Sequence, residues 1–424
     1  MKKDNHVDFD GNVFEFRRRI SWPSFVGFKM GLEQLSDVQE IVLDFQRVQV
    51  AYSNGMVPII ATLVRYYPSI HIEIVRPNDD AVHSLFKRTG WYHFLDKEDR
   101  LLDRSPEHYD NFNLIRFSND DELNTTNKQI FDWVLQSVEM AKGLPDSFHW
   151  ITNELAGNVL DHSETNDGWI QVTVFPDNHQ IAIVICDTGV GIRATMQRAF
   201  PDIKTDLQAL EKAITKGVTS NPDIGQGNGL AGSIEVARAN EGLIHIISGS
   251  GRLISYEDEF RSQEMSVSYP GTMVEFQLKT NKSVQLDNAL WGRPTVGYFE
   301  MKYEDDFGNL DLRLKDYAPT FGNRPTGRKI RTMLENMLES NPGQSINVDF
   351  DGVDMITSSF ADELFGRLAI QLGIWQFGQR VRPRNVNALC FGIINNVIEQ
   401  RIAYKYIQEN VTEDYTIQQG DDID

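Results

Sequence analysis

The chain has 424 residues, of which 41% are hydrophobic and 24% are charged, a composition typical of a folded protein in water. Its length predicts about three domains, at roughly 150 residues for each. The formal net charge of −20 repels phosphate backbones, which argues against nucleic acid as the main partner. Because no apolar run approaches the ~18 residues of a membrane helix, we expect no membrane span.

The N-terminal stretch and the cysteines bear on the compartment. MKKDNHVDFDGNVFEF is charged and lacks the apolar segment of a secretory signal, so we expect a cytoplasmic protein. Cys186 and Cys390 fit a reducing compartment and are too few for a disulfide framework or a Cys-based zinc site. Both lie in apolar runs, which predicts that they are buried.

Residues 1–105 are predicted to form a small α/β domain. The stretches 40–50 and 70–77 are typical of strands, and MVPIIATLVRYY (56–67) between them is helical in character. The polar, turn-rich stretch 101–112 predicts the end of this domain.

Residues 106–283 are predicted to form an α+β domain, a two-layer sandwich with a mostly antiparallel sheet. Helices are expected at 127–143 and around NELAGNVLDH (153–162). WIQVTVF-PDN-HQIAIVICD (169–187) has the alternation and turn residues of a hairpin, and strands are expected at 243–256 and 271–279.

A third segment, 284–409, repeats part of the first. LDFQRVQVAYSNG and VDFDGVDMITSSF align at one constant offset, which places Asp44 on Asp349 and Ser53 on Ser358. Two similar α/β domains are therefore expected to bracket the central one. FGNRPTGRKIRT (321–332) is the most basic stretch, which we interpret as a solvated helix face. The acidic residues 410–424 are predicted to form a disordered tail.

Glu154 and Asn158 are candidate site residues in the motif NELAGNVLDH. Four residues apart on a helix, their side chains leave the same face. Asn158 would supply a neutral oxygen ligand for Mg²⁺ that bridges phosphates, and Glu154 would act as a general base one turn away.

Asp187 stands at the end of a predicted strand and is followed by Thr188-Gly189-Val190-Gly191. An ionised carboxylate only accepts hydrogen bonds, so it suits an amino group such as the exocyclic one of adenine. Gly189 and Gly191 would let the backbone turn tightly beside the ligand.

Two further motifs suit the phosphates. Gly225, Gly227, Gly229 and Leu230 belong to GQGNGL, which leads into a helix and offers free N–H groups. Thr272 opens the strand TMVEFQLK with a hydroxyl. The dinucleotide fingerprint is rejected because these glycines follow a loop rather than a strand, and the chain has no P-loop motif.

The order of these motifs resembles that of the GHKL ATP-binding fold, shared by gyrase, MutL, heat-shock chaperones and sensor kinases. NELAGNVLDH is similar to its N box, DTGVGI to its G1 box and GQGNGL to its G2 box, over roughly residues 120 to 280. The resemblance implies ATP and Mg²⁺ as cofactors, Glu154 as the base, Asn158 as the Mg²⁺ ligand, Asp187 as the adenine contact and Thr272 as a further contact. Residues 192–224 would form the lid.

The outer segments resemble STAS domains, the fold of anti-sigma factor antagonists. In partner-switching systems of that kind a GHKL kinase phosphorylates a STAS serine, which Ser53 and Ser358 would match. The family has Asp before this serine, where this chain has Tyr52 and Thr357. A helix N-cap is the alternative role that we favour for either serine.

Two functional hypotheses follow. The first is an ATPase or serine kinase that acts on a regulatory protein or on its own STAS-like domains. The second is an ATP-gated switch, which forms a homodimer when nucleotide binds and phosphorylates no protein.

Overall fold

The computed structural model describes residues 6–36, 39–96, 113–165, 167–219, 228–257 and 259–418. Its chain divides into two compact units. Unit 1 comprises residues 1–133 and 147–293, and unit 2 comprises residues 134–146 and 294–424. Within the described residues, no helix is both long and apolar enough to cross a membrane.

The N-terminal part of unit 1 is a mixed α/β fold. Its sheet has the order β1-β2-β4-β6, in which β1 and β2 pair antiparallel and the other neighbours pair parallel. The elements are the strands β1 (Val7–Asp10), β2 (Val13–Phe16), β3 (Arg19–Ile20), β4 (Glu40–Asp44), β5 (Val50–Ala51) and β6 (His71–Val75), and the helices α1 (Trp22–Leu32), α2 (Ser53–Tyr66), α3 (Asp80–Arg88) and α4 (Trp91–Leu95).

The predicted strand 40–50 is divided in two, which corrects the sequence prediction. A turn lies between β4 and β5, because the Asp44 carboxylate accepts the N–H of Gln46 and the Phe45 carbonyl accepts the N–H of Val48. Side chains that cap a turn compete with the ladder of a sheet. The predicted domain end at 105 lies outside the described residues.

The rest of unit 1 is built on a five-stranded sheet of order β10-β11-β9-β8-β7, and all of its neighbours pair antiparallel. The elements are the strands β7 (Ile115–Phe117), β8 (Gly168–Phe175), β9 (Gln180–Asp187), β10 (Leu243–Tyr256) and β11 (Glu259–Lys279), and the helices α5 (Asp120–Ser137), α6 (Leu144–His162), α7 (Gly191–Ala199), α8 (Asp206–Ala213), α9 (Gly229–Ala239) and α10 (Leu286–Ala289). Residues 134–137 of α5 and 144–146 of α6 belong to unit 2. A 3-10 turn, Pro176–Asn178, joins β8 to β9 as the hairpin prediction requires.

The N-terminal part and the five-stranded sheet share one hydrophobic core. Helix α2 packs against β8, β9 and β11. The ring of Tyr269 on β11 lies 5.3 Å from that of Phe25 and 6.2 Å from that of Trp22, in edge-on contacts. Such contacts add to the hydrophobic gain of burying the rings. One face of the sheet is therefore covered by the N-terminal part.

Unit 2 contains a three-stranded parallel sheet of order β12-β13-β14. Its elements are the strands β12 (Leu310–Arg313), β13 (Ile346–Asp349) and β14 (Val381–Arg384), and the helices α11 (Tyr298–Tyr303), α12 (Arg324–Ser340), α13 (Ser358–Ala361), α14 (Arg367–Leu372), α15 (Ile374–Arg380) and α16 (Ala388–Gln418). A π-helical turn, Asp362–Gly366, joins α13 to α14. The predicted tail 410–424 begins inside α16, and residues 419–424 lie outside the described residues.

The sequence repeat has matching local structure. The Asp349 carboxylate accepts the N–H of Asp351, as Asp44 does for Gln46 in the first copy. The N–H of Phe350 is bonded to the carbonyl of Arg384, the equivalent of the Phe45–Val75 bond. The same type of turn therefore follows β4 in the first copy of the repeat and β13 in the second.

The basic stretch 321–332 is not simply a solvated face. Arg324, Arg328 and Arg331 of α12, together with Arg367, lie within 3.0 to 3.6 Å of the Glu363 carboxylate. The Glu363 side chain is only 1% exposed. A buried charge needs partners, so these arginines anchor α12 to the π-helical turn.

Candidate nucleotide site

Helix α6 places Glu154 and Asn158 on one face, as the motif spacing predicts. Both side chains are partly buried. Burial first, and then the neighbouring Asp161 carboxylate, raises the pKa of Glu154 above that of an exposed glutamate. A raised pKa suits a carboxylate that must take a proton near neutral pH.

Gly229, the first residue of α9, faces these two side chains. A Cβ atom there would lie 2.7 Å from Glu154 Oε2 and 3.5 Å from Asn158 Nδ2. The absence of a side chain therefore keeps the start of α9 open next to the proposed base. Leu230 follows in the same helix, whereas Gly225 and Gly227 lie outside the described residues.

Asp187 ends β9 and is 5% exposed. Its Oδ1 accepts the N–H of Gly189 at 2.8 Å. Burial raises the pKa of Asp187 to about 7, although the N–H groups of Gly189 and Thr272 act in the opposite direction. The carboxylate is therefore held inside the protein, but a modest change in its surroundings alters its charge near neutral pH.

Glycines let the backbone approach Asp187 from the next strand. Gly271 has a φ of +106°, and a Cβ there would lie 2.3 Å from the Asp187 carbonyl oxygen. Gly191 has a φ of +73°, in the left-handed region that favours glycine. A larger residue at Gly271 would push Asp187 away from Thr272.

Ser248 of β10 belongs to the same cluster and was missed from the sequence. Its hydroxyl accepts the N–H of Ile192 at 2.8 Å, and it lies 3.1 Å from both the Gly271 carbonyl oxygen and the Thr272 hydroxyl. A serine in the interior of a predicted strand is common, so its sequence context carried no distinguishing signal. Ser248 fixes the start of α7 relative to Thr272.

The end of α6 joins the two groups of site residues. The carbonyl of Ser163, just after α6, accepts the N–H of Val190 at 3.0 Å. A Cβ on Gly189 would lie 2.1 Å from the same Ser163 oxygen. The helix that carries Glu154 is therefore seated on the turn that follows Asp187, which requires glycine at 189.

The two candidate phosphoacceptors differ in exposure. Ser53 is only 8% exposed, whereas Ser358 is exposed. Both are the first residue of a helix, and the N-cap positions are Tyr52 and Thr357. The favoured capping role is therefore wrong for both serines, because each lies one position after the N-cap. In the second helix, the hydroxyl of Thr357 accepts the N–H of Phe360.

Comparison with known families supports this description of the chain. Residues 143–282 match the family described as histidine kinase-, DNA gyrase B-, and HSP90-like ATPase, and residues 326–388 match a STAS-like domain of unknown function (DUF4325). The chain thus carries a GHKL-type ATPase domain followed by a STAS-like domain. No curated protein matches it.

The residues of the site fit an adenine nucleotide with Mg²⁺, which ATPase domains of this family bind. Thr188, beside Asp187, is 2% exposed, and its hydroxyl oxygen has no hydrogen-bond partner among the described residues. A buried hydroxyl without a partner is costly and fits a site that a polar ligand completes. The described residues contain no cluster of three His, Cys, Asp or Glu side chains that could hold a metal. A cation at Asn158 would therefore need phosphate oxygens as further ligands.

Proposed function

We propose that this protein is a regulatory Mg-ATP-binding ATPase or serine kinase of the GHKL type. The observation that carries the proposal is the close approach of Gly229, at the start of α9, to the side chains of Glu154 and Asn158. Asp187 and Thr272 form a second polar group, connected to the first through the end of α6.

Each residue has a role that its environment supports. Asp187 accepts a hydrogen bond from the adenine amino group, and Thr272 lies beside it. Bound Mg²⁺ would neutralise charge on the phosphates, with Asn158 as a protein ligand. The N–H groups at the start of α9 face the phosphates, and Gly225 and Gly227 belong to the same loop in the sequence.

Glu154 acts as the general base. It takes the proton of the attacking hydroxyl, which belongs to water or to a serine, as that oxygen bonds to the terminal phosphorus. The bond between that phosphorus and the bridging oxygen breaks, and ADP leaves. Its raised pKa makes Glu154 a better proton acceptor than an exposed glutamate.

The STAS-like domain offers the acceptor in the kinase form of this proposal. Ser358 is exposed and lies within the matched residues 326–388. We also propose that the N-terminal α/β part is a second STAS-like domain, supported by the equivalent turns after Asp44 and Asp349. A phosphate adds a charge of about −2, which can break one protein contact and favour another.

One observation favours the alternative, an ATP-gated dimerising switch without protein kinase activity. Ser53 is only 8% exposed and is the first residue of α2, the helix that packs on the ATPase sheet, so a kinase could not reach its hydroxyl in this conformation. On this reading, nucleotide binding changes the association state of the protein, and hydrolysis only resets it.

The two hypotheses can be tested by experiments carried out one after the other. Calorimetry with Mg²⁺ and ATP tests binding, and absence of any heat would remove both hypotheses. Asp187→Asn is expected to lose nucleotide, whereas Glu154→Ala is expected to bind ATP without turning it over. Wild-type turnover by Glu154→Ala would refute the assignment of the base.

Labelled ATP followed by peptide mapping then decides between kinase and switch. The kinase hypothesis predicts that the label appears on Ser358 or on a serine of a partner protein. If Ser358 is the acceptor, Ser358→Ala abolishes the labelling. Ser359→Ala is the matched control, because Ser359 is the exposed neighbour. The switch reading predicts no phosphoprotein and a dimer that forms with a non-hydrolysable ATP analogue, measured by size-exclusion chromatography with light scattering.

A further inference from the structure

Helix α2 of the N-terminal part is fixed to the ATPase sheet at both of its ends. Near its start, Asn54 Nδ2 donates to Glu275 Oε2 on β11 at 2.9 Å. At its last residue, the Tyr66 hydroxyl donates to the carbonyl oxygen of Thr188 at 3.3 Å. The buried residues between them pack on β8, β9 and β11. Helix α2 therefore contacts the segment that follows Asp187 directly.

The carbonyl that Tyr66 contacts is part of a peptide group that also serves Asp187. The Thr188 carbonyl and the Gly189 N–H belong to one planar unit. Its N–H donates to Asp187 Oδ1 at 2.8 Å. Since the unit is rigid, rotation of its oxygen away from Tyr66 would also turn its N–H away from the carboxylate.

We propose that Tyr66 is a positioning residue for the nucleotide site, holding the Thr188–Gly189 peptide so that its N–H stays directed at the Asp187 carboxylate. This inference rests on the proposed function, in which Asp187 receives the adenine amino group. Tyr66 itself contacts backbone, and half of its surface is exposed to solvent. It acts on nucleotide only through Asp187, and it makes the N-terminal part a structural component of the ATPase domain.

The contribution of Tyr66 is modest, because 3.3 Å is long for a hydroxyl–carbonyl hydrogen bond. Loss of one neutral hydrogen bond of this kind is expected to weaken nucleotide binding about three- to tenfold. Because Asp187 contacts the adenine ring, which ATP and ADP share, the affinities for ATP and ADP should fall by the same factor. Turnover at saturating ATP should not change, because Glu154 is untouched.

Tyr66→Phe tests the proposal, and Tyr67→Phe is the matched control. Tyr67 is the adjacent residue in the chain, and the pKa of its hydroxyl is raised first by burial and then by the Glu33 carboxylate. The two variants and the wild type are compared by calorimetry with Mg-ATP and Mg-ADP between pH 6 and pH 8, and by thermal unfolding. We expect weaker nucleotide binding for Tyr66→Phe alone, together with a small fall in its melting temperature, because one hydrogen bond of the unliganded protein is lost.

The pH profile adds a readout that general destabilisation would not change. Loss of the Gly189 N–H would move the midpoint of binding to higher pH in Tyr66→Phe, because the Asp187 carboxylate would be less favourably ionised. The other titratable groups beside Asp187 are Asp167, which is paired with Arg116, and the buried Cys186 and Tyr269. Both variants retain all of them.

Three outcomes overturn the inference. The first is Tyr66→Phe binding with the affinity and pH midpoint of the wild type, and the second is an equal loss in Tyr67→Phe. The third is a wild type that binds no adenine nucleotide, which refutes the proposed function and the role of Tyr66 together. The first two leave the proposed function standing.

Discussion

Replacement of Gly229 by alanine should separate the geometry of the base from the stability of the fold. The new Cβ would lie 2.7 Å from Glu154 Oε2, so that oxygen must retreat by about 0.7 Å to reach ordinary contact. Asn158 Nδ2, at 3.5 Å, can stay in place. Because a displacement near 1 Å can cost about a hundredfold in rate, we expect turnover to fall by about ten- to a hundredfold.

The folding stability of Gly229→Ala should not fall along with its turnover. The obstructing atom is the end of a flexible side chain, and alanine is a better helix former than glycine by up to about 1 kcal/mol. Gly157→Ala is the matched control, since it lies between Glu154 and Asn158 in α6 with nothing within 4 Å of the new Cβ. Phosphate release under saturating Mg-ATP, calorimetric affinity and thermal unfolding are measured for both. A folded Gly229→Ala with wild-type turnover would refute the argument.

Three other predictions can be checked with the same methods. Asn336→Ala should destabilise unit 2 by about 3 kcal/mol in chemical unfolding, because this side chain donates to the buried carbonyls of residues 135 and 138 and accepts the N–H of residue 140. The control Asn341→Ala loses one partly buried hydrogen bond and should destabilise unit 2 by less than half as much. Nucleotide affinity should fall as the pH drops through about 7, since Asp187 gains a proton below its raised pKa and ceases to be a pure acceptor; affinity that is flat between pH 6 and pH 8 at saturating Mg²⁺ would contradict this. Gly271→Ala should abolish nucleotide binding and lower the melting temperature, because its Cβ would overlap the Asp187 backbone at a φ that alanine rarely adopts, whereas Gly343→Ala, in open space, should do neither.

Local patterns in the sequence determine much of the candidate site. The helical period alone places Glu154 and Asn158 on one face, and an apolar alternating run predicts that Asp187 ends a strand. The GHKL resemblance and the STAS-like resemblance of the C-terminal segment rest on motifs of the same local kind and are confirmed by the family matches. The STAS-like nature of the N-terminal segment stays a prediction. The roles of the individual residues stay predictions until nucleotide binding is measured.

Contacts between distant parts of the chain were not predictable in this way. Ser53 and Ser358 have similar local sequences and equivalent turns before them, yet one is buried and the other exposed. The difference comes from what packs over each helix, which no short window of sequence contains. The same holds for Tyr66, whose contact with Thr188 joins residues far apart in the chain.

The shared core of unit 1 has a consequence for how the chain can be dissected. Removing the N-terminal residues would uncover Trp169, Ile247 and Tyr269, large side chains that are now at most 1% exposed. A truncated ATPase domain would then expose an apolar sheet face to solvent and would be prone to aggregation. A separate protein that binds this face would have to compete with the N-terminal part, which is tethered to the same chain and is therefore present at a high effective concentration.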